Sequence, residues 1–320
     1  MKLLAVLALF FLSPAVQAAG PNAFEFVAIG DMPYILPGDY ERFDRLIDKI
    51  NAAKPAFTLH VGDIMSGRTP CTDDNMAKVF AQFARFEGPL VYTPGDNEWT
   101  DCHRLLQGSF DPLDRLARVR TMFFANPQRS LGKASLSVES QAKRMADRFP
   151  AYIENARFSK NGVVIATVHV VGSNNNSDPK RPAAEAEFIA RDAANEAWID
   201  DTFDQAGKAG AKAVVLAWQA NVHHLRADLQ GQYSPAFART IAAVDRGARA
   251  FGKPVLVVYG DYHFFEVSRF WTAPRRAVPN VAKLQVFGET LVHGVTVTVD
   301  PDAPGVFGYI PLIVPENGPQ

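Results

Sequence analysis

Three times in the first hundred residues an apolar run stops on Gly-Asp: "FEFVAIGD" (24–31), "AFTLHVGD" (56–63) and "GPLVYTPGD" (88–96). Short apolar runs closed by turn residues predict buried strands. Between them, "DYERFDRLIDKINAAK" (39–54) sets Phe43, Leu46, Ile47 and Ile50 at helical spacing, and "NMAKVFAQFARF" (75–86) predicts a second helix. Strand–helix–strand–helix–strand implies parallel strands joined by right-handed crossovers. Asp31, Asp63 and Asp96 then recur about one βαβ unit apart, roughly 30 residues. All three fall at carboxyl ends of strands, the edge where open α/β sheets bind ligands.

The pattern is looser in the middle. "DPLDRLARVRTMFF" (111–124) predicts a helix, and "YIENARFSKNGVVIATVHVVGSNNN" (152–176) a hairpin turning at Lys160-Asn161-Gly162. A long amphipathic helix follows over "AEAEFIARDAANEAWIDDTFDQA" (184–206). Strands return with "AKAVVLAWQANVHH" (211–224), carrying Gln219 and two histidines, and "KPVLVVYGDYHFFEV" (253–267), a fourth Gly-Asp with His263 two residues on. The segment "SPAFARTIAAVDRGARAF" (234–251) between them predicts a helix. The tail runs "AKLQVFG" (282–288), "GVTVTVD" (294–300) and "VFGYIPLIV" (306–314) read as an antiparallel sheet edge. No linker interrupts the pattern, so a single α/β domain is expected over 19–320.

The amino terminus changes the expected compartment. Lys2, the apolar run 3–12 and the small-x-small site Val16-Gln17-Ala18 predict a signal peptide over 1–18, hence a periplasmic or secreted protein. The apolar run is shorter than the ~20 residues a membrane span needs. In an oxidising compartment the two cysteines, Cys71 and Cys102, predict a disulfide. It would contribute on the order of 3–4 kcal/mol by constraining the unfolded chain. Lys and Arg (33) nearly balance Asp and Glu (34), so a basic nucleic-acid footprint is not expected. There is no G-x-S-x-G elbow, H-E-x-x-H or P-loop to point to other hydrolase chemistry.

Four Gly-Asp strand ends, with Gln219 and His263, can converge on one pocket. Four carboxylates cannot share a pocket without countercharge, and divalent metals supply it. The order of these residues resembles the calcineurin-like metallophosphoesterase superfamily, which reads D-x-H, G-D, G-N-H-E/D, a lone H, then G-H-x-H. The resemblance runs from about Phe24 to Phe265. It implies a four-layer α/β/β/α sandwich with two mixed β-sheets, two divalent metal ions and hydrolysis of phosphate monoesters or diesters by metal-activated water.

On this resemblance Asp31 matches the first aspartate, while Pro33 stands where its histidine should be. Asp63 matches the carboxylate that bridges two metals ~3.5–4 Å apart. Asp96 stands at the asparagine ligand, Asn97 at the histidine that acts on the phosphate, and Glu98 at the acidic end, in support of Asp96. Gln219 stands at the lone histidine, and Asp261 and His263 at G-H-x-H. One metal would see Asp31, Asp63 and His263, and the other Asp63, Asp96, Gln219 and Asp261. Oxygen ligands favour Mg²⁺ or Mn²⁺, with Ca²⁺ or Fe²⁺ as alternatives, over zinc.

Four aspartates neutralise two divalent ions, so arginine is expected to supply charge for a small phosphorylated substrate. Arg104 and Arg68 are the candidates. Asn97 cannot act as an acid, so His103, His223 or His224 is expected to replace the lost histidine. The substituted ligand positions also motivate an alternative, a non-catalytic, metal-stabilised binding protein on the same fold.

Overall fold

The Gly-Asp strands pair as their pattern requires. β1 (Phe24–Ile29), β2 (Thr58–His60) and β3 (Leu90–Tyr92) are parallel neighbours. The computed structural model describes residues 20–223, 232–274 and 276–318, so the expected signal peptide and His224 lie outside the described residues. Helices Gly38–Ala53 and Asp73–Phe83 make the crossovers. The second starts where Thr72 accepts the Asn75 N–H, with Asp73 and Asp74 at the positive end of the helix dipole. Asp111 caps helix Pro112–Phe123 in the same way.

The second sheet holds β4 (Glu139–Ser140), β5 (Ala156–Lys160), β6 (Val163–Thr167), β7 (Ala213–Ala217), β8 (Val255–Tyr259), β9 (Glu266–Ala273) and β10 (Arg276–Gln285). Their spatial order is β4-β5-β6-β7-β8-β10-β9. The expected hairpin is present, with Lys160 opposite Val163, and β6, β7, β8 and β10 run parallel. Two further strands, β11 (Gly294–Val299) and β12 (Phe307–Leu312), extend the first sheet antiparallel beside β1.

The tail departs from the expected single antiparallel edge. Residues 282–285 belong to β10, which lies parallel to β8, while 294–299 and 307–312 join the other sheet. The cause is β9, which reverses the chain after β8 so that β10 slots between the two. Alternation in sequence reports which faces are buried, not which sheet buries them.

Burial on both faces explains the continuous apolar runs. In β1, Phe26 and Ala28 face the space between the sheets, while Val27 and Ile29 face the helices with Leu46, Ile47 and Phe83. In β7, Val215 joins the inter-sheet core, and Val214 and Leu216 pack with Trp198 and Phe203 of helix Pro182–Lys208 and with Val244 of helix Ala238–Phe251. Each such side chain, fully buried, stabilises by about 1.5–3 kcal/mol. The result is the expected α/β/β/α sandwich with two mixed sheets. No helix of the described residues is long and apolar enough to cross a membrane.

Candidate functional site

The parallel strands of both sheets end at one cleft of about 930 Å³. Asp63, Asp96, Asp261 and His263 line it, with Arg68 and Arg104 on its wall. Asp31 is fully buried, and both its oxygens accept the Asp261 N–H, at 3.0 and 3.1 Å. The aspartates themselves adopt the left-handed conformation at three of the turns, with φ of 54° at Asp31, 55° at Asp63 and 82° at Asp261. Aspartate tolerates this region because its short side chain hydrogen-bonds locally. The glycine of one turn clears space for the carboxylate of another. A Cβ on Gly260 would lie 2.2 Å from Asp31 Oδ2.

Asp63 is the hub. Its Oδ2 accepts the Tyr34 hydroxyl at 2.7 Å, Asn97 Nδ2 at 2.9 Å and Gln219 Nε2 at 3.2 Å, and its Oδ1 accepts the Asn97 N–H at 3.1 Å. Gln219 Oε1 accepts the Gly172 N–H at 2.5 Å. A backbone N–H can only donate, so the amide orientation of Gln219 is fixed, with its NH₂ towards Asp63.

Asp96 Oδ2 accepts the Ser173 hydroxyl at 2.6 Å. Arg104 joins this group, donating to Ser173 Oγ at 3.0 Å and pairing with Asp101 at 2.6 Å. His263 lies 3.9 Å from Asp31 Oδ1 through Nε2 and 3.3 Å from Glu289 through Nδ1. Cys71 and Cys102 form the expected disulfide, tying the loops that carry Arg68 and Arg104.

Burial dominates the electrostatics. It raises Asp31 and Asp63 well above the usual carboxylate range, and the other acids of the cleft add to the shift. Asp261 and Asp101 are pushed up to about 7 by burial and the Asp96 charge. Burial lowers His263, against the pull of Glu289. The cleft is therefore oxygen-rich and short of positive charge. Among the described residues, no three His, Cys, Asp or Glu side chains form a group that could hold a metal ion.

Other expected residues stand elsewhere or act differently. Glu98 Oε1 accepts the Tyr92 hydroxyl and the Gly95 N–H, both at 2.7 Å, so it secures the turn before Asp96. His103 is exposed, bound to the Thr100 carbonyl at 2.7 Å, and is not among the residues lining the cleft. His223 points to β9, with Nε2 2.7 Å from the Trp271 carbonyl and Nδ1 3.3 Å from Lys283. Both rings are held by contacts away from the carboxylates. Asn175 and Asn176 are buried supports of the 172–176 turn.

Sequence reasoning passed over Tyr34, Asp101, Ser173 and Glu289, all of which line the cleft. Asp101 follows Asp96 by five residues in "GDNEWTD", and Ser173 follows the strand-end Gly172. Those positions were the available signal.

No protein-family model matches the sequence, and no curated protein matches it. Among solved structures, the chain is similar to GAP50, the anchor in the inner membrane complex of Plasmodium, with 10% identity and a TM-score of 0.51 over 91% of this chain and 89% of that one. It also aligns with the purple acid phosphatase PPD1 from yellow lupin seeds, at 10% identity and a TM-score of 0.47, over 92% of this chain but 55% of the lupin chain. A Thermus thermophilus protein aligns at 10% identity and a TM-score of 0.46, over 90% and 99%. The likeness to GAP50 is one of fold.

Proposed function

We propose that the cleft is the active site of a cation-dependent phosphoesterase that hydrolyses a phosphate monoester or diester of a small substrate. The observation that carries this reading is the gathering of Asp31, Asp63 and Asp96, all buried, with half-buried Asp261 at the strand ends of both sheets, deficient in countercharge. Asp31, Asp63, Asp96, Asp261 and His263 would hold the cation, Mg²⁺ or Mn²⁺ before Ca²⁺ or Fe²⁺. When bound, it would polarise the phosphoryl group and lower the pKa of an attacking water.

The chain's own residues do the rest. Arg104 stands on the cleft wall with its guanidinium oriented by Asp101 and Ser173, and exposed Arg68 lines the same wall. A planar guanidinium matches phosphate oxygens in pairs. Tyr34 and Asn97 orient Asp63, and Asn97 Nδ2 also reaches the Tyr34 hydroxyl at 2.9 Å. No histidine other than His263 lines the cleft among the described residues, so proton transfer to a leaving group falls to the acids or to solvent.

The test is hydrolysis of a chromogenic phosphate monoester and diester by chelator-treated protein, with each cation returned in turn. Turnover with one cation bears the reading out. The saturation of Asp63 by protein donors favours a second reading, a cation-stabilised binding protein on the same fold. Cation-dependent melting without turnover on either ester would select it.

A further inference from the structure

The chain after helix Pro112–Phe123 folds back onto the β3 edge of the first sheet. Leu131 and Leu90 exchange two backbone hydrogen bonds, at 2.8 and 2.9 Å, and the Lys133 N–H reaches the Phe86 carbonyl at 2.9 Å. Between this pinned loop and helices Asp73–Phe83 and Pro112–Phe123 lies a cavity of about 440 Å³, which shares no lining residue with the cleft. Its walls are thus preformed.

The lining is largely aromatic. Phe80 and Phe83 come from one helix, Met122 and Phe123 from the other, and Leu131 from the loop. The Phe80 and Phe123 rings meet edge to face at 5.4 Å, yet Phe80 stays 37% exposed. Ring surface is left free for a further ring to pack against.

The charge is one-sided. Arg129 and Lys133 also line the cavity, and among the described residues no acid does. The Arg129 guanidinium donates to Ser135, to Oγ at 3.0 Å and to the carbonyl at 3.4 Å, and pairs with no carboxylate among the described residues. Lys133 pairs with Glu87 at 2.7 Å, but both are more than half exposed, and such a pair holds weakly.

The geometry points to a binding site for a small aromatic carboxylate, with its ring against Phe80 and Phe123 and its anion at Arg129. The volume lies within the range of small-ligand pockets, roughly 300–1,000 Å³. A guanidinium matches carboxylate oxygens in pairs. An uncharged ring would leave Arg129 unused, and an aliphatic acid would forgo the edge-to-face contacts. The inference is independent of the chemistry proposed for the cleft.

The experiment is calorimetric titration of the full chain with 2-naphthoate, beside its uncharged counterpart 2-naphthamide. One 2-naphthoate per chain is expected, bound at least about tenfold more tightly than the amide, as a hydrogen bond to a charged group provides. Arg129→Gln should remove that difference, and Phe80→Ser should weaken both compounds. Arg104→Ala should bind 2-naphthoate as wild type does; weaker binding there would place the probe in the cleft and overturn the inference. Equal affinity for acid and amide in wild type, undiminished 2-naphthoate binding by Arg129→Gln, or no binding at millimolar 2-naphthoate would overturn it as well, and each would leave the phosphoesterase reading untouched.

Discussion

A methyl group on Gly95 would lie 2.0 Å from Oδ1 of Asp63 and 2.4 Å from its backbone nitrogen. The glycine before one strand-end aspartate is therefore the floor on which the aspartate of the neighbouring strand rests. Gly95→Ala must push Asp63 away or move the turn, and overpacking of this kind costs about 1–3 kcal/mol. We expect its melting temperature to fall by several degrees. Gly207→Ala is the contrast, since a Cβ there meets nothing within 4 Å inside helix Pro182–Lys208. It should stabilise by about 0.5–1 kcal/mol. Thermal melts of the two variants beside wild type check both signs.

The acids of the cleft set a pH dependence. Burial pushes Glu98, Asp101 and Asp261 up to about 7, and raises Asp31 and Asp63 as well. Folded pKa values above unfolded ones mean that the folded chain binds more protons, so this contribution is complete at low pH and fades from about pH 4 to about 7. Chelator-treated protein should melt higher near pH ~5 than near ~7.5, by on the order of 5 °C. Mn²⁺ should restore the loss at the higher pH. Equal melting temperatures at the two values, with and without Mn²⁺, would oppose the account of the carboxylates.

Arg104 tests the substrate wall. Its side chain is half exposed, so the Asp101 pair itself stabilises the fold little. Arg104→Ala should instead raise KM for a phosphate ester about 10–100-fold, as expected for loss of a hydrogen bond to a charged group. Arg104→Lys should recover part of that, because it keeps the charge but not the fork. Steady-state kinetics on the three proteins separates KM from kcat.

The disulfide should act on stability and on the site together. Cys71 and Cys102 are 31 residues apart in sequence and fully buried. Replacing both by serine removes a constraint worth on the order of 3–4 kcal/mol. It also frees the segment in which Gln107 and Cys71 contact the Asn97 carbonyl. The double variant should melt lower and show a raised KM; an unchanged KM would mean that the bridge serves the fold alone.

Much of this arrangement is legible in the sequence because strand ends carry punctuation. Asp31, Asp63, Asp96 and Asp261 could be assigned to one edge from an apolar run, a glycine and the rule for parallel sheets. The reason for the glycines was not legible. The pattern suggests tight turning, whereas at Gly95 and Gly260 the close approach of a neighbouring carboxylate is what requires them. Such a contact joins residues far apart in the chain and leaves no local trace. Gln219 can be placed at its strand end from the apolar run before it, but the orientation of its amide depends on the long-range partner Gly172 and leaves no local trace. His103 and His223 show the same limit, since nearness in sequence to a motif does not set the direction of a ring. The β8–β10 pairing was hidden because alternation is blind to sheet membership.

The most direct measurement is kcat/KM of Asp63→Ala beside wild type on the same phosphate ester, both chelator-treated and resupplied with the same cation, and both shown to be folded by circular dichroism. Asp63 stands at the meeting point of both halves of the cleft, so the account predicts a loss of at least about 100-fold together with weaker cation binding. Activity equal to wild type in the folded variant would contradict it.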